Sequence, residues 1–238
     1  MPATRWPVLS VAGVFVIVFY CAFTFTSIAL FPSPFSPVTN WLSDLGNSSY
    51  SPNGAMFYNV GCILTGLMLF PFFAGLYKWY TGEKLRKTLI IATQAAGFIA
   101  AFALIMIGVF SEDFMVEHVF WSTVFFAFNL IVLILANVSL MTHSRFWKPI
   151  AYYGFVVAFI NLLFVASRNT PILEWFTVFT ALGYVALLSY NTLKPPRKQE
   201  EARTQAAAIG KRSDQLWVKK RRSRSVGTGT RGTLTVVA

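Results

Sequence analysis

Residues 7–31 read PVLSVAGVFVIVFYCAFTFTSIALF, an unbroken stretch without Asp, Glu, Lys, Arg or His. At about 1.5 Å of helical rise per residue, such a stretch crosses the roughly 30 Å hydrocarbon layer of a bilayer. Backbone amides in hydrocarbon must pair within helices or a closed barrel, and a run this long is a helix. Five more runs follow, at 52–77, 88–110, 117–141, 149–167 and 171–193. The chain therefore reads as an all-α, polytopic integral membrane protein: a six-helix transmembrane bundle over residues 1–193, then a tail over 194–238. Composition agrees, since 55% of residues are hydrophobic and 12% charged, against about a quarter charged in soluble domains.

Pro7, Pro52, Pro149 and Pro171 open four of the runs, where a missing amide costs nothing because first-turn donors have no intrahelical partner. Ser51 and Thr170 precede two of them as N-caps. Pro71 lies inside the second run and predicts a bend, its freed carbonyl taken up by a neighbour. A cleaved secretory signal, with Arg5 before the first run and Ser27-Ile28-Ala29 near its end, is the rival reading. The apolar region is longer than the roughly 7–15 residues of a signal, so it is kept as a span.

Orientation follows from the basic residues. Arg5, Lys78, Lys84, Arg86, Lys87, Arg145, Lys148 and the tail from Lys194 share one side, and Arg168 alone falls on the other. Asp44, Glu112, Asp113, Glu117 and Glu174 all fall on that second side. The expectation is a multi-pass protein of the cell membrane with both termini cytoplasmic. Cys21 and Cys62 lie within runs and read as inert thiols.

The tail carries twelve basic residues against Glu200, Glu201 and Asp214, and supplies most of the net charge of +11. With few apolar residues it reads as disordered. Lys219, Lys220, Arg221, Arg222 and Arg224, beside Trp217, form a cluster suited to anionic headgroups at the membrane surface. Charge alone permits nucleic acid, but no nucleic-acid module stands behind it, so membrane lipids are the expected partners. Oligomeric state is left open.

Within the runs, Asn59, Gln94, Asn129, Asn137, Asn161, Asn191, Thr65, Ser122 and Thr123 are the polar residues, and helix-to-helix hydrogen bonding is the default use for each. Ala92, Ala96 and Ala100, with Gly97 and Ala101, make a close-packing face. No Lys, Arg, Asp or Glu sits at mid-depth, which argues against a proton relay or ion-coupled pathway while leaving neutral-solute transport open.

The informative constellation lies between the runs. The loop from Pro32 to Ser51 carries Trp41, Leu42 and Leu45 around polar groups, so it is predicted to fold back onto the bundle. Across from it, Ser111-Glu112-Asp113-Phe114 leads into Glu117-His118, and Glu174-Trp175 open the sixth run. Asp44, Glu117, His118 and Glu174 could meet in one pocket beneath the outer interface. An Asp and His pair there could serve as base and orienter or grip a headgroup. The plainer alternative is that Asp44 ties its own loop and that Glu117 and His118 are solvated.

The stretch Asn40-Trp41-Leu42-Ser43-Asp44-Leu45-Gly46, followed by Asn59, Gly108, Phe110 and His118, resembles an uncharacterised prokaryotic six-span family, the domain of unknown function nine-nine-eight. It is similar, more distantly, to the Frag/DRAM/Sfk six-span membrane proteins. The likeness runs from about Phe31 to Asn129. It implies a six-span fold and an outer-face site at Asn40, Ser43, Asp44, Asn59 and His118 without an agreed reaction, and the distant relatives imply lipid handling.

Together these readings give recognition or handling of a lipid headgroup or amphipathic ligand at a pocket of Asn40, Ser43, Asp44, Asn59, Glu117, His118 and Glu174. The alternatives are a membrane-embedded lipid-modifying enzyme using Asp44 and His118, and a small neutral-solute transporter. No metal or cofactor is expected: a catalytic zinc usually takes three protein ligands, and the only histidines, His118 and His143, fall on opposite sides. Nucleophile-elbow and phosphate-loop motifs are absent.

Overall fold

The computed structural model describes residues 6–167, 170–193 and 209. Arg5, Arg168 and the membrane-surface cluster Lys219, Lys220, Arg221, Arg222 and Arg224 lie outside the described residues. The described residues form six helices, α1 Val8–Ala29, α2 Ala55–Ala74, α3 Lys84–Val109, α4 Met115–Met141, α5 Lys148–Ser167 and α6 Pro171–Leu193, with short 3-10 turns at Ser43–Gly46 and Gly75–Trp79. All six are long and apolar enough to cross a membrane, with α2 and its 3-10 extension crossing together. The protein is a multi-pass membrane protein.

Each helix packs on its neighbours in the chain, and α6 closes on α1, so the six form a ring. Its surfaces are inverted relative to a soluble domain. Val14, Val18, Phe25, Phe102, Val156 and Phe159 stand exposed on the outside, an apolar area that a soluble monomer would not leave bare. Inside lie small polar residues among the hydrocarbon, Ser10, Ser27, Thr65, Thr93, Asn137, Asn161 and Thr177, each at most 2% exposed. On α1 the buried residues Leu9, Ala12, Val16, Tyr20, Thr24 and Ser27 recur every three or four positions, one helical stripe facing inward.

Several ends differ from expectation. Pro7 is the N-cap residue of α1 rather than its first helical residue. Pro52 does not open α2 and Ser51 does not cap it: 51–54 form a turn in which the Ser51 carbonyl accepts the amides of Gly54 and Ala55, and Gly54 holds the cap position. The reason is that proline suits a turn as readily as a first helical turn. Helix α3 begins at Lys84 instead of Thr88, because its basic first turn can extend beyond the hydrocarbon while staying helical.

At Pro71 the α-helix runs three residues further before tightening into the 3-10 turn Gly75–Trp79. Gln94 of α3 reaches across, its Nε2 donating to the carbonyls of Phe73 at 3.1 Å and Ala74 at 2.9 Å. Of the other polar residues, Asn161 donates to Phe126 of α4 at 3.0 Å and Tyr184 donates to Asn137 at 3.0 Å, both helix-to-helix bonds. Thr65 and Asn191 depart from the default: the Thr65 hydroxyl and the Asn191 Nδ2 are buried without a hydrogen-bond partner.

The two ends of the ring are electrically unlike. Among the described residues Lys78, Lys84, Arg86, Lys87, Arg145 and Lys148 gather at one end, called here the basic end. It is closed by Trp79, which donates to Thr192 at 3.1 Å and stands edge-on to His143 and Phe146. Burial, then the charges of Arg145, Arg86 and Lys148, hold His143 below the usual imidazole range. The other end carries the long loop and the carboxylates, and is the loop end.

The loop folds into the ring, with Leu42 at 1% and Leu45 at 0% exposure. Ser27 donates to the Leu45 carbonyl at 3.3 Å, and Asn59 donates to that of Gly46 at 3.0 Å. Around Asn59 the packing leaves no room for side chains: a Cβ at Gly46 would lie 2.5 Å from Asn59 Oδ1, and one at Gly108 would lie 2.5 Å from the Asn59 carbonyl oxygen. We therefore expect Gly108→Ala, which pushes α3 away from α2, to cost about 1–3 kcal/mol. Its checking measurement is thermal unfolding in detergent, where Gly82→Ala, with nothing within 4 Å, serves as the neutral control.

Candidate functional site

Three carboxylates from separate segments converge at the loop end. Glu174, in the first turn of α6, accepts the Leu42 amide on Oε2 at 2.7 Å and thereby ties the loop to the far wall of the ring. Glu112, from the α3–α4 turn, accepts a long bond of 3.5 Å from Ser43 Oγ, while its Oε2 is buried and unpartnered. Asp44 accepts the Trp41 amide at 2.9 Å. Asp113 holds the loop's other shoulder, accepting the Ser48 amide at 3.0 Å and the Ser48 hydroxyl at 2.9 Å.

Their electrostatics follow from these partners. Burial, and next the nearby Asp44 charge, push the Glu112 carboxyl up to about 6. Burial also raises Asp44, against the opposing hydrogen bonds from Trp41 and Asn40. Burial pulls Asp113 upward too, yet the bonds from Ser48 and Ser111 outweigh it and hold this acid below its ordinary value.

Two cavities meet at this point. A cleft of about 320 Å³ is lined by Trp41, Ser43, Glu112, His118, Ser122 and Glu174, with Phe164 and Val165 of α5 opposite. Its wall includes Met115 and Val119, which are 53% and 45% exposed on the outside of the bundle, so the cleft reaches the lipid-facing surface between α4 and α5. A second cavity of about 100 Å³ lies inside the ring, walled by Val16, Leu69, Phe72, Leu104, Leu133 and Leu188 among others. Ser43, His118, Ser122, Phe126 and Glu174 line both. The space gathers its carboxylates, His118 and Ser43 at its mouth and is mostly apolar in its depth.

Of the residues singled out from sequence, Ser43, His118 and Glu174 therefore line one cavity system. Asn40, Asp44 and Asn59 do not line it and build the loop instead. Asn40 Oδ1 accepts the Ser36 amide at 3.2 Å, and its carbonyl accepts Trp175 Nε1 at 3.3 Å. Glu117 lies apart from them: it is exposed on α4 and does not line the cleft. Consecutive helical residues point about 100° apart, and here His118 takes the inward direction while Glu117 turns outward.

Asp44 and His118 do not pair. His118 Nδ1 bonds the Phe110 carbonyl at 3.0 Å and Asp44 bonds the Trp41 amide, so each is committed to backbone. Asn47 is likewise engaged, its Oδ1 accepting the amides of Ser49 at 2.9 Å and Tyr50 at 3.3 Å, and the residue is 9% exposed.

A family model described as "Protein of unknown function (DUF998)" matches residues 6–191, from just before α1 to the last turn of α6. The chain belongs to that family. Comparison with curated proteins and with solved structures finds no match. For this DUF998 protein, Glu112 was the residue missed from sequence: next to Asp113 in a short polar turn, it looks solvated. The available signal was Phe110 and Phe114 on either side, whose rings pack edge-on at 6.2 Å and anchor the turn.

An acid raised from 4.5 to about 6 in the fold contributes stability that is complete below about 4.5 and lost as pH rises through about 6. Glu112→Gln, which cannot ionise, is thus expected to raise the melting temperature at pH 7.5 and leave it nearly unchanged at pH 4. Thermal unfolding of both proteins at the two pH values decides this, and an equal shift at both would refute the charge as its cause.

Proposed function

We propose that this protein, lying in the cell membrane with its loop end outside and both termini in the cytoplasm, takes up an amphipathic lipid through the cleft between α4 and α5. The orientation is favoured by the gathering of lysines and arginines at one end. The reading rests on one observation above others: a cleft that carries several polar groups and reaches the lipid-facing surface shares five lining residues with an apolar cavity inside the ring. A headgroup in the cleft meets Ser43, Glu112, His118 and Glu174, and an alkyl chain beyond them meets hydrocarbon side chains. Ligand pockets are usually apolar concavities with a few convergent polar groups, which is the pattern here.

The enzymatic alternative draws no support from the geometry, because Asp44 and His118 are each held by a backbone group instead of by one another. Recognition and sequestration need no such pair.

Ser122 lies on the shared wall, so a large ring there obstructs the passage between cleft and cavity. Ser122→Trp is expected to abolish co-purification of lipid and stabilisation by added amphiphiles while leaving helical content and monodispersity intact. Lipid extraction with mass spectrometry, beside circular dichroism, reads both. Retention of the wild-type lipid complement by a well-folded Ser122→Trp protein would reject this route.

A further inference from the structure

Among the described residues the mouth offers carboxylates and no lysine or arginine, and the unpartnered Glu112 Oε2 lies within it. A phosphate or sulfate head would meet like charge there, and desolvating two like charges together is costly. Depth supplies a second, independent feature. Thr177 at 0% and Thr65 at 2% exposure line the inner cavity with hydroxyls that have no hydrogen-bond partner. A buried hydroxyl without a partner is destabilising, and helical threonines normally avoid this by bonding a carbonyl one turn back. Thr93, Thr123 and Thr192 do so here.

Thr177 is one turn below Glu174, and Thr65 is on α2 across the ring. From the start of each helix they lie about 9 Å and about 15 Å deep, at 1.5 Å per residue. Ser122 and Asn129 of α4 face the same space. A plain alkyl chain would leave the Thr65 and Thr177 hydroxyls unanswered.

We propose that the ligand is a cationic amphiphile whose ammonium-bearing head sits at Glu112 and Glu174 and is joined to its apolar chain by a hydrogen-bonding linker of hydroxyl, amide or ester. The linker reaches Thr177 and Thr65. This inference rests on the uptake route proposed above and names the chemistry it selects. Charge complementarity orients the head, and the two hydroxyls discriminate chains that carry the linker from those that do not. Glu112 must be ionised to hold a cation; the groups facing it are Asp44 from the loop, Asp113 on its own turn, His118 of α4 and Glu174 of α6. Binding therefore weakens as pH falls through about 6.

The test uses the full-length protein in phosphatidylcholine nanodiscs, titrated separately with a long-chain aminodiol, hexadecylamine, hexadecyl sulfate and phosphatidylethanolamine. The aminodiol is expected to bind roughly tenfold more tightly than hexadecylamine, and both more tightly than the sulfate or the phosphodiester. Glu112→Gln is expected to weaken both amines about tenfold while making the protein no less stable, so a folding defect cannot imitate the result. The double change Thr65→Val and Thr177→Val, close in shape, should bring the aminodiol down to the level of hexadecylamine and leave hexadecylamine unchanged. Equal binding of amine and sulfate, or full retention of amine binding by Glu112→Gln, would overturn the cationic head, and an unaltered aminodiol preference in the double variant would overturn the linker. Binding of every amphiphile regardless of head would sink this inference alone, whereas binding of none would sink the uptake route as well.

Discussion

One bond between a carboxylate and a backbone amide holds the loop end together. Glu174 reaches from α6 to the amide of Leu42, on a loop that follows α1, and so joins the last helix to the segment between the first two. Burying a carboxylate without partners is prohibitive, and Glu174 is 92% buried by its 8% exposure. The amide of a loop residue is the group that meets it. With Leu42 fixed, Leu45 is drawn into the ring, Gly46 comes down on Asn59, and Ser48 meets Asp113. The roof of the cavity is thus made of backbone held by acids, and those same acids define the chemistry of its mouth.

The polar residues of the loop divide by what their side chains have left to offer. Asn40, Asp44, Asn47 and Asn59 each bond backbone amides or carbonyls of the loop, and Asn40 and Asn47 also bond the Asp44 and Glu112 carboxylates. Ser43, Glu112 and His118 retain faces toward the cleft. A short motif rich in Asn, Asp and Gly is thereby explained by architecture: glycine at 46 and 108 lets three backbones approach, and the amides and acids satisfy what that approach buries.

The six spans were legible in the sequence because the bilayer imposes length and apolarity on every one, and neither needs tertiary knowledge. Helix starts were less legible. Pro52 is chemically as content in a turn as in a first helical turn, and Lys84 to Lys87 are polar yet helical. The site was legible only in part, for a geometric reason. His118 and Glu174 could be placed by their position at helix starts on the same side, whereas Glu117 beside His118 required attention to the 100° step between neighbours. Glu112 needed the fold itself, since only the loop packed over the α3–α4 turn turns a solvated acid into a half-buried one. Pairing Asp44 with His118 failed because local backbone partners lie three and eight residues away, nearer along the chain than one another.

Stability and the proposed role pull Glu112 in opposite directions. Its ionisation near neutral pH opposes folding, since burial and the Asp44 charge both disfavour the anion. A protein selected for stability alone would carry a neutral amide there. The same reasoning extends to Thr65 and Thr177, where valine would fill equal volume without an unanswered hydroxyl. Glu112, Thr65 and Thr177 thus place three uncompensated polar groups on one connected cavity, where a ligand would offset them. Those groups set the cavity apart from a packing defect, because a void left by imperfect packing is lined by hydrocarbon alone and stays dry.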